Sequence, residues 1–298
     1  MADRAWLFGR VRRAAACGGS FCTGISEIGI GDDPVLMKIF QIFYDDVTRQ
    51  QLDPAFIALD NSGSERPDWF EYWPIRKTLL HSTFDDEEYL GFFSPRFQEK
   101  TRMAGSEVIE RVSNSKSEVI SFSPFLHESA LYPNSFYQGD AVHAGFLKVS
   151  QEYFDQVGIR IDLRQLVQDQ TRTIFSNYFV AKYRFWKKWR VLADQLFQNC
   201  EARDGPLSEK LNAGTLHRGK QSYQMKIFIM ERVVSLALEL EKLNAEIAVD
   251  QAKASIYGTG QVFNHFLVMD ALKGQYLKTG SAYYLGIYLN MRKQVIKR

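Results

Sequence analysis

A carboxylate and a guanidinium, Glu231 and Arg232, stand within one of the most apolar runs of the chain, MKIFIMERVV. Glu and Arg side chains are seldom buried unless they are paired. If Glu231 faces inward, burial raises the pKa of its carboxyl toward the range in which a general base works near neutral pH. If both side chains instead lie on the polar face of a helix, they have no catalytic role. Glu231 is therefore either a general base or an ordinary residue on the polar face of a helix.

A second set of polar residues follows apolar runs that are typical of buried strands. In open α/β sheets, ligands bind outside the carboxyl ends of the strands. Asp60 or Asn61 would hydrogen-bond a ligand hydroxyl there, or simply form a solvated turn. Arg96 has the planar fork that suits a phosphate, although a surface ion pair is its commoner role. The polar residues at or just after the strand ends are Asp60, Asn61, Arg66, Asp68, Glu71, Arg76, Ser94, Arg96 and Lys100. Of these, Asp60, Asn61, Arg66, Arg76, Arg96 and Lys100 are the candidate binding residues, together with Tyr44 and Asp45 after the first strand.

A third polar set follows a strand-like run that begins at Val119. His127 and Glu128 come first and are adjacent, so on a regular helix they would not face each other. Asn134 and His143 follow in the same irregular stretch. A polar loop after a central strand is typical of a substrate site.

The elements that must position these residues alternate between strand and helix patterns. This alternation predicts an α/β fold with a mainly parallel, twisted sheet and helices on both faces. The chain from about residue 183 to 298 is predicted to be helical, with residues 200–219 as a loop that is either a connector or a lid. The predicted strands are Lys38–Tyr44, Phe56–Leu59, Tyr89–Phe93, Val119–Phe122 and Phe179–Ala181. The predicted helices are Trp69–Leu80 with Asp68 as its N-cap, Ser106–Val112, Asp140–Val157, Phe185–Phe197, Gln224–Asn244, Val262–Tyr276 and Tyr283–Ile296.

Composition excludes several classes of protein. The chain has 298 residues and a net charge of +2, which gives no basis for broad nucleic-acid binding. Its three cysteines lack a zinc-ligand spacing, and their odd number is typical of a reducing compartment. The sequence contains no GxGxxG, P-loop, GxSxG or HExxH motif. No apolar run reaches the roughly 20 residues needed to cross a bilayer.

Residues 1–36 differ from the rest of the chain because they are rich in Gly, Ala and Arg and weakly periodic. We predict that they form a disordered tail or an upstream extension that is wrongly assigned, with Met37 as the natural start. Residues 37–298 are then one α/β domain with a helical C-terminal portion.

Several motifs together carry a resemblance to a known family over roughly residues 37–240. They are IFQIFYDD, LDPAFIALDNSG, RPDWFEYWPIRKTL, YLGFFSPRFQEKT, ISFSPF, SNYFVAKYRFWKKW and QMKIFIMER. In these motifs the chain resembles a glycosyltransferase-like bacterial family associated with polysaccharide biosynthesis. More remotely, it is similar to capsular-polysaccharide glycosyltransferases of the GT-A type.

The resemblance implies transfer of a sugar from a nucleotide-sugar donor to a surface-polysaccharide or lipid-linked acceptor. Tyr44, Asp45, Asp60, Asn61 and Arg66 would then hold the donor nucleotide, with Arg76, Arg96 and Lys100 at its diphosphate. Glu231 would be the base, with His127 and Glu128 beside the reacting sugar. The predicted acceptor contacts are Asn134, His143, Asn177 and Lys182.

The resemblance also implies a divalent metal, Mn²⁺ or Mg²⁺, which GT-A enzymes commonly hold through Asp-x-Asp. This sequence has only the adjacent pairs Asp45-Asp46 and Asp85-Asp86, so no metal ligand is assigned. Arg66, Arg76, Arg96 or Lys100 would then stabilise the leaving diphosphate in place of the metal. We expect a cytoplasmic protein with weak peripheral contact to the inner membrane face through Lys293, Lys297 and Arg298. The alternatives are a non-catalytic carbohydrate- or nucleotide-binding module and, less favoured, a hydrolase that uses Glu128 and Glu231.

Overall fold

The computed structural model describes residues 35–217 and 221–296, so the prediction for residues 1–36 lies almost wholly outside the described residues. The strands are β1 Met37–Phe43, β2 Ile57–Asp60, β3 Tyr89–Phe93, β4 Val119–Ser121, β5 Phe179–Lys182, β6 Gly214–His217, β7 Gln221–Gln224 and β8 Glu246–Ile247. Six of them form one sheet in the order β2-β1-β3-β5-β4-β8. All neighbours in it are parallel except β5, which is antiparallel to both β3 and β4. The α/β class and the mostly parallel sheet are confirmed, and all five predicted strands are present.

Helices connect and cover the strands. They are α1 Asp46–Arg49, α2 Tyr72–His81, α3 Phe97–Thr101, α4 Gly105–Ser113, α5 Leu126–Leu131, α6 Ser135–Val142, α7 Phe146–Gln156, α8 Tyr183–Ala202, α9 Gly205–Asn212, α10 Met225–Met230, α11 Val233–Leu240, α12 Gln251–Ala254, α13 Gln261–Thr279 and α14 Ala282–Ile296. A short 3₁₀-helix spans Pro67–Trp69. Of the described helices, none combines the length and apolarity that a membrane span requires.

The sheet is covered on both faces, which explains why its strands read as continuous apolar runs. Neighbouring residues of β3 point to opposite faces: Leu90 and Phe92 join the core cluster beneath α2, α8 and α11, whereas Tyr89 and Phe93 join the one beneath α3 and α4. A third, smaller cluster joins α5 to the α13–α14 hairpin. The helical C-terminal region is confirmed, although β6, β7 and β8 also lie within it.

Two helices predicted as continuous are broken. The predicted helix Asp140–Val157 is α6 and α7, because Gly145 adopts a left-handed conformation (φ 81°) at the start of α7. The predicted helix Gln224–Asn244 is α10 and α11, with Glu231 and Arg232 at the junction. There the Arg232 amide bonds the carbonyl of Ile229, a tighter turn than that of an α-helix. Its guanidinium donates to the carbonyls of Ser135 and Phe228, which holds the side chain in the core.

Two further predictions are wrong in detail. Asp68 does not cap a helix that begins at Trp69, because its carboxylate accepts hydrogen bonds from Arg66 and Lys226. The chain instead turns at Phe70 before α2 begins. The predicted loop 200–219 contains the end of α8, all of α9 and β6.

One edge of the sheet collects polar residues from several elements. The carboxyl ends of β1, β2, β3 and β4 point to this edge, and the antiparallel β5 begins there. Tyr44, Asn61, Ser94 and Ser123 follow the four parallel strands, and Asn177 precedes β5. The fold therefore places side chains from distant parts of the sequence at a single edge.

Candidate functional site

A pocket of about 260 Å³ opens at this edge, between the strand ends, the start of α2 and the α10–α11 junction. Most of its lining is aromatic or aliphatic, and its polar groups come from several separate segments of the chain. It is lined by Tyr44, Trp69, Phe70, Glu71, Tyr72, Asn177, Tyr223, Ile227, Phe228, Met230 and Glu231. An apolar cavity with a few convergent polar groups is the usual form of a small-molecule site.

Glu71 is an acid of the pocket whose pKa is strongly shifted. The residue keeps part of its surface open to the cavity, while its carboxyl lies deep among protein atoms. Burial and then the nearby charge of Glu231 raise the pKa of this carboxyl to about 7. The Asn177 amide and the Tyr44 hydroxyl donate hydrogen bonds to it, which limits the rise in pKa. A carboxyl that titrates near neutral pH can accept or donate a proton during a reaction.

Asn177 reaches the pocket from a strained backbone. Ser176 and Asn177 both have positive φ angles, 60° and 52°. Consecutive non-glycine residues in this region are uncommon, and Asn tolerates it better than most. The Asn177 side chain is buried, and its Oδ1 has no hydrogen-bond partner among the described residues. The NH₂ group of the Asn177 side chain thus donates to Glu71, and its Oδ1 can accept a hydrogen bond from a ligand.

Lys100 supplies positive charge close to the pocket carboxylates. It belongs to α3, and its ammonium donates to the Ser176 hydroxyl at 3.3 Å and lies 5.3 Å from the centre of the Tyr178 ring. Burial lowers the pKa of Lys100, whereas the charges of Glu71 and Glu231 act in the opposite direction. Lys100 therefore balances part of the negative charge of the site.

Glu231 lies closer to solvent than Glu71. Its side chain is 45% exposed, and an Nη1 atom of the buried Arg232 is 3.7 Å from its carboxylate. The pocket thus contains one deep carboxyl and one shallow carboxyl. They interact electrostatically, since Glu231 raises the pKa of Glu71.

Aromatic rings form the walls on the side of the β6–β7 hairpin. Phe70 has a φ of 46°, which is strained for a residue with a bulky side chain. Its ring meets that of Tyr223 edge to face at 5.7 Å, and Tyr223 meets Phe228 at 6.2 Å. His143 stacks on the other side of Phe228 with ring centres 3.5 Å apart. Strained backbone at both Phe70 and Asn177 is typical of a site at which the fold holds side chains in set positions.

Of the predicted donor-binding residues, Tyr44 lines the pocket and Lys100 lies beside it. The three arginines bind carboxylates of this chain: Arg66 with Asp68 and Glu201, Arg76 with Asp194, and Arg96 with Glu99. Asp45 caps α1, and Asp60 accepts hydrogen bonds from Ser62 in its own turn. Asn61 is buried at the same edge but outside the pocket lining.

The other predicted site residues are dispersed. Glu231 and Asn177 line the pocket, and the buried His143 lies behind its Phe228 wall. His127 and Glu128 lie on α5, where the His127 ring contacts Tyr257 and Phe266. Asn134 caps α6 and donates to the carbonyls of Leu163 and Leu166, which is a structural role. Lys182 ends β5 at the opposite edge of the sheet, where it pairs with Glu87.

The sequence pattern places Glu71 at the strand edge but assigns it no role, and it missed the aromatic walls. Glu71 stands in the motif RPDWFEYW, where an acidic side chain among four aromatic residues is the signal that could have identified it. Tyr223 gave no such signal, because it reaches the pocket from a hairpin in a region predicted to be a loop and a helix.

A larger groove of about 790 Å³ lies on the surface between α7 and the segment 160–164. It is wide, mostly charged and far from the strand ends, and it holds no comparable set of convergent groups. Within residues 35–217 and 221–296, no three acidic, histidine or cysteine side chains form a group that could hold a metal ion. Asp45 and Asp86, one from each adjacent pair, bind Thr48 and Lys187 instead. The divalent metal that the resemblance implies stays a prediction.

Comparison with known proteins gave no match to any family model, curated protein or solved structure at a significant level. The function must therefore be argued from the pocket.

Proposed function

We propose that the protein is a glycosyltransferase that moves a sugar from a nucleotide-sugar donor to a surface-polysaccharide or lipid-linked glycan acceptor. The pocket lies where α/β sheets bind ligands. Aromatic rings offer apolar faces for the C–H groups of a sugar, and carboxylates and amides accept hydrogen bonds from its hydroxyls. The proposal includes a GT-A-like arrangement of the sheet.

The observation that carries the proposal is the buried Glu71 carboxyl, whose pKa is raised to about 7. In the proposed step Glu71 accepts the proton of an acceptor hydroxyl. The hydroxyl oxygen forms a bond to the anomeric carbon while the bond from that carbon to the nucleoside diphosphate breaks, which inverts the configuration. Near neutral pH a substantial fraction of Glu71 is ionised and able to act as this base.

The other polar groups of the pocket have supporting roles in this proposal. Lys100 offers positive charge to the leaving diphosphate, since Arg66, Arg76 and Arg96 already bind carboxylates. The free Oδ1 of Asn177 accepts a hydrogen bond from a sugar hydroxyl. Glu231, which the sequence analysis assigns as the base, holds the acceptor nearer to solvent and raises the pKa of Glu71.

The test is nucleoside diphosphate release from a panel of nucleotide sugars, with lipid-linked and free oligosaccharide acceptors, and with and without Mn²⁺. We expect Glu71→Gln to lower turnover at least about 100-fold, as loss of general base catalysis does. Donor binding, measured as a thermal shift, should persist in this variant. Glu209→Gln is the matched control, because Glu209 is exposed on α9.

Each outcome is informative. Unchanged turnover in Glu71→Gln would remove Glu71 from the mechanism. A nucleotide-sugar shift without turnover in the wild type would favour the non-catalytic binding module. Binding of free glycans alone, with their hydrolysis, would favour a glycosidase that uses Glu71 and Glu231.

A further inference from the structure

The charge of the chain is unevenly distributed along its length. Residues 251–298 contain seven lysines and arginines but a single acid, Asp270, which gives a net charge of +6. The preceding 250 residues contain 30 basic and 34 acidic residues and carry −4. A chain of nearly neutral total charge therefore has a basic C-terminal region on an acidic remainder.

The acid of this region is removed from the surface. Asp270 is buried on α13, where its carboxylate accepts hydrogen bonds from the Ser129 hydroxyl and the Gln170 amide. The ammonium of Lys273, one turn along, donates to the carbonyls of Ser129, Tyr132 and Gln168. These bonds fix α13 to α5, so the hairpin formed by α13 and α14 is an integral part of the fold. The exposed ionic side chains of the described hairpin are basic, and they include Lys278 and Lys293.

The outer faces of the two helices also carry several exposed apolar side chains. On α13, Leu267 and Val268 are 42% and 47% exposed, on the face opposite the buried Phe266 and Met269. On α14 the exposed apolar residues include Tyr283, Leu289 and Ile296. The segment before α13 adds Ile256, which is 77% exposed, and Tyr257. Such a concentration of exposed apolar side chains marks an interaction surface.

We propose that the outer face of the α13–α14 hairpin docks on an anionic lipid surface. Amphipathic helices with basic and aromatic residues lie in the interface of anionic membranes, with the apolar side chains inserted and the bases at the headgroups. The charge distribution is complementary to such a surface: the region of +6 is attracted, and the remainder of −4 is repelled. This pair of forces also sets the orientation of the bound protein. The inference does not depend on the proposed sugar transfer.

The experiment is co-sedimentation of the full chain with lipid vesicles. Phosphatidylcholine vesicles are compared, at low and high salt, with vesicles in which part of this lipid is replaced by the anionic phosphatidylglycerol. We expect the protein to sediment with the anionic vesicles only, and to be released by salt because exposed charges are screened. Lys278→Gln combined with Lys293→Gln should lower the partition coefficient about 30-fold, given the usual contribution of each base. Tyr283→Ser with Leu289→Ser should weaken binding to the anionic vesicles at both salt concentrations.

The matched control is Lys116→Gln combined with Lys148→Gln, since both lysines are exposed outside the hairpin and their loss changes the net charge equally. Equal weakening by the control and the hairpin variants would overturn the proposal, because it would reduce the effect to net charge. So would an absence of binding to anionic vesicles. Concentration-dependent dimerisation that Leu267→Ser abolishes would assign the face to a second copy of the chain instead. All these variants are at exposed positions, and a thermal unfolding curve for each confirms that it is folded.

Discussion

At the scale of single residues, the Glu71 carboxyl is subject to opposing effects. Burial and the charge of Glu231 favour its protonated form, whereas Lys100, Asn177 and Tyr44 favour the carboxylate. The balance leaves its pKa at about 7, so a small change in the surroundings moves this acid across neutral pH.

Glu231→Gln tests how the two carboxyls divide their roles. The substitution removes a negative charge that raises the pKa of Glu71, so this pKa should fall. The acid limb of the kcat/KM profile reports the base of the free enzyme, and it should move to lower pH with turnover retained. Complete loss of turnover in Glu231→Gln, with Glu71→Gln still active, would instead make Glu231 the base. Glu209→Gln should leave the acid limb where it is.

At the scale of elements, the strands could be predicted and the helix breaks could not. A buried parallel strand is a continuous apolar run, so Tyr89–Phe93 is visible in the sequence alone. The junction between α10 and α11 depends on the hydrogen bonds that Arg232 makes to Ser135 and Phe228, which no periodicity within residues 225–244 encodes. That junction carries Glu231 to the pocket, so the misplaced helix boundary also hid the geometry of the site.

The contact between α13 and α5 gives a prediction at the same scale. Lys273→Met removes the ammonium beside the buried Asp270 and leaves that carboxylate without its compensating charge. The loss of this buried charge, together with the hydrogen bonds that Lys273 donates to three backbone carbonyls, should lower the free energy of unfolding by about 3–5 kcal/mol. Urea denaturation at pH 7 measures the change. Lys278→Met, on the exposed side of the same helix, should alter stability by less than about 0.5 kcal/mol, and an equal loss in both variants would contradict this role of Lys273.

At the scale of the whole molecule, the edge of the sheet that carries the pocket was predictable, but most of the residues in the pocket were not. The strand pattern indicates which chain positions follow the strand ends, and it places Tyr44 at the carboxyl edge. Asn177, which only the resemblance indicated, precedes its strand and reaches this edge because β5 is antiparallel to its neighbours. Arg66 and Arg76 also follow predicted strands in the sequence, but they bind carboxylates of α8: Arg66 binds Glu201, and Arg76 binds Asp194. These contacts join residues more than 100 positions apart. The sequence pattern therefore could not show that Lys100, rather than one of these arginines, lies beside the pocket.

The stability of the whole fold should depend on pH through Glu71. Its pKa is raised from 4.5 to about 7, so the folded state binds the proton more tightly than the unfolded chain does. The stabilisation that follows is complete below about pH 4.5 and is lost as the pH rises through 7, a change of about 3 kcal/mol. The glutamine in Glu71→Gln cannot ionise, so the variant should not show this loss. The free energy of unfolding of the variant minus that of the wild type should therefore increase between pH 5 and pH 8, by up to this amount. Urea titrations of both proteins at the two pH values measure the difference. Asp270, whose pKa is raised to about 6, affects both proteins alike and cancels. A constant difference between the two proteins would show that Glu71 is ionised throughout this range, and the proposed base would then have an ordinary pKa.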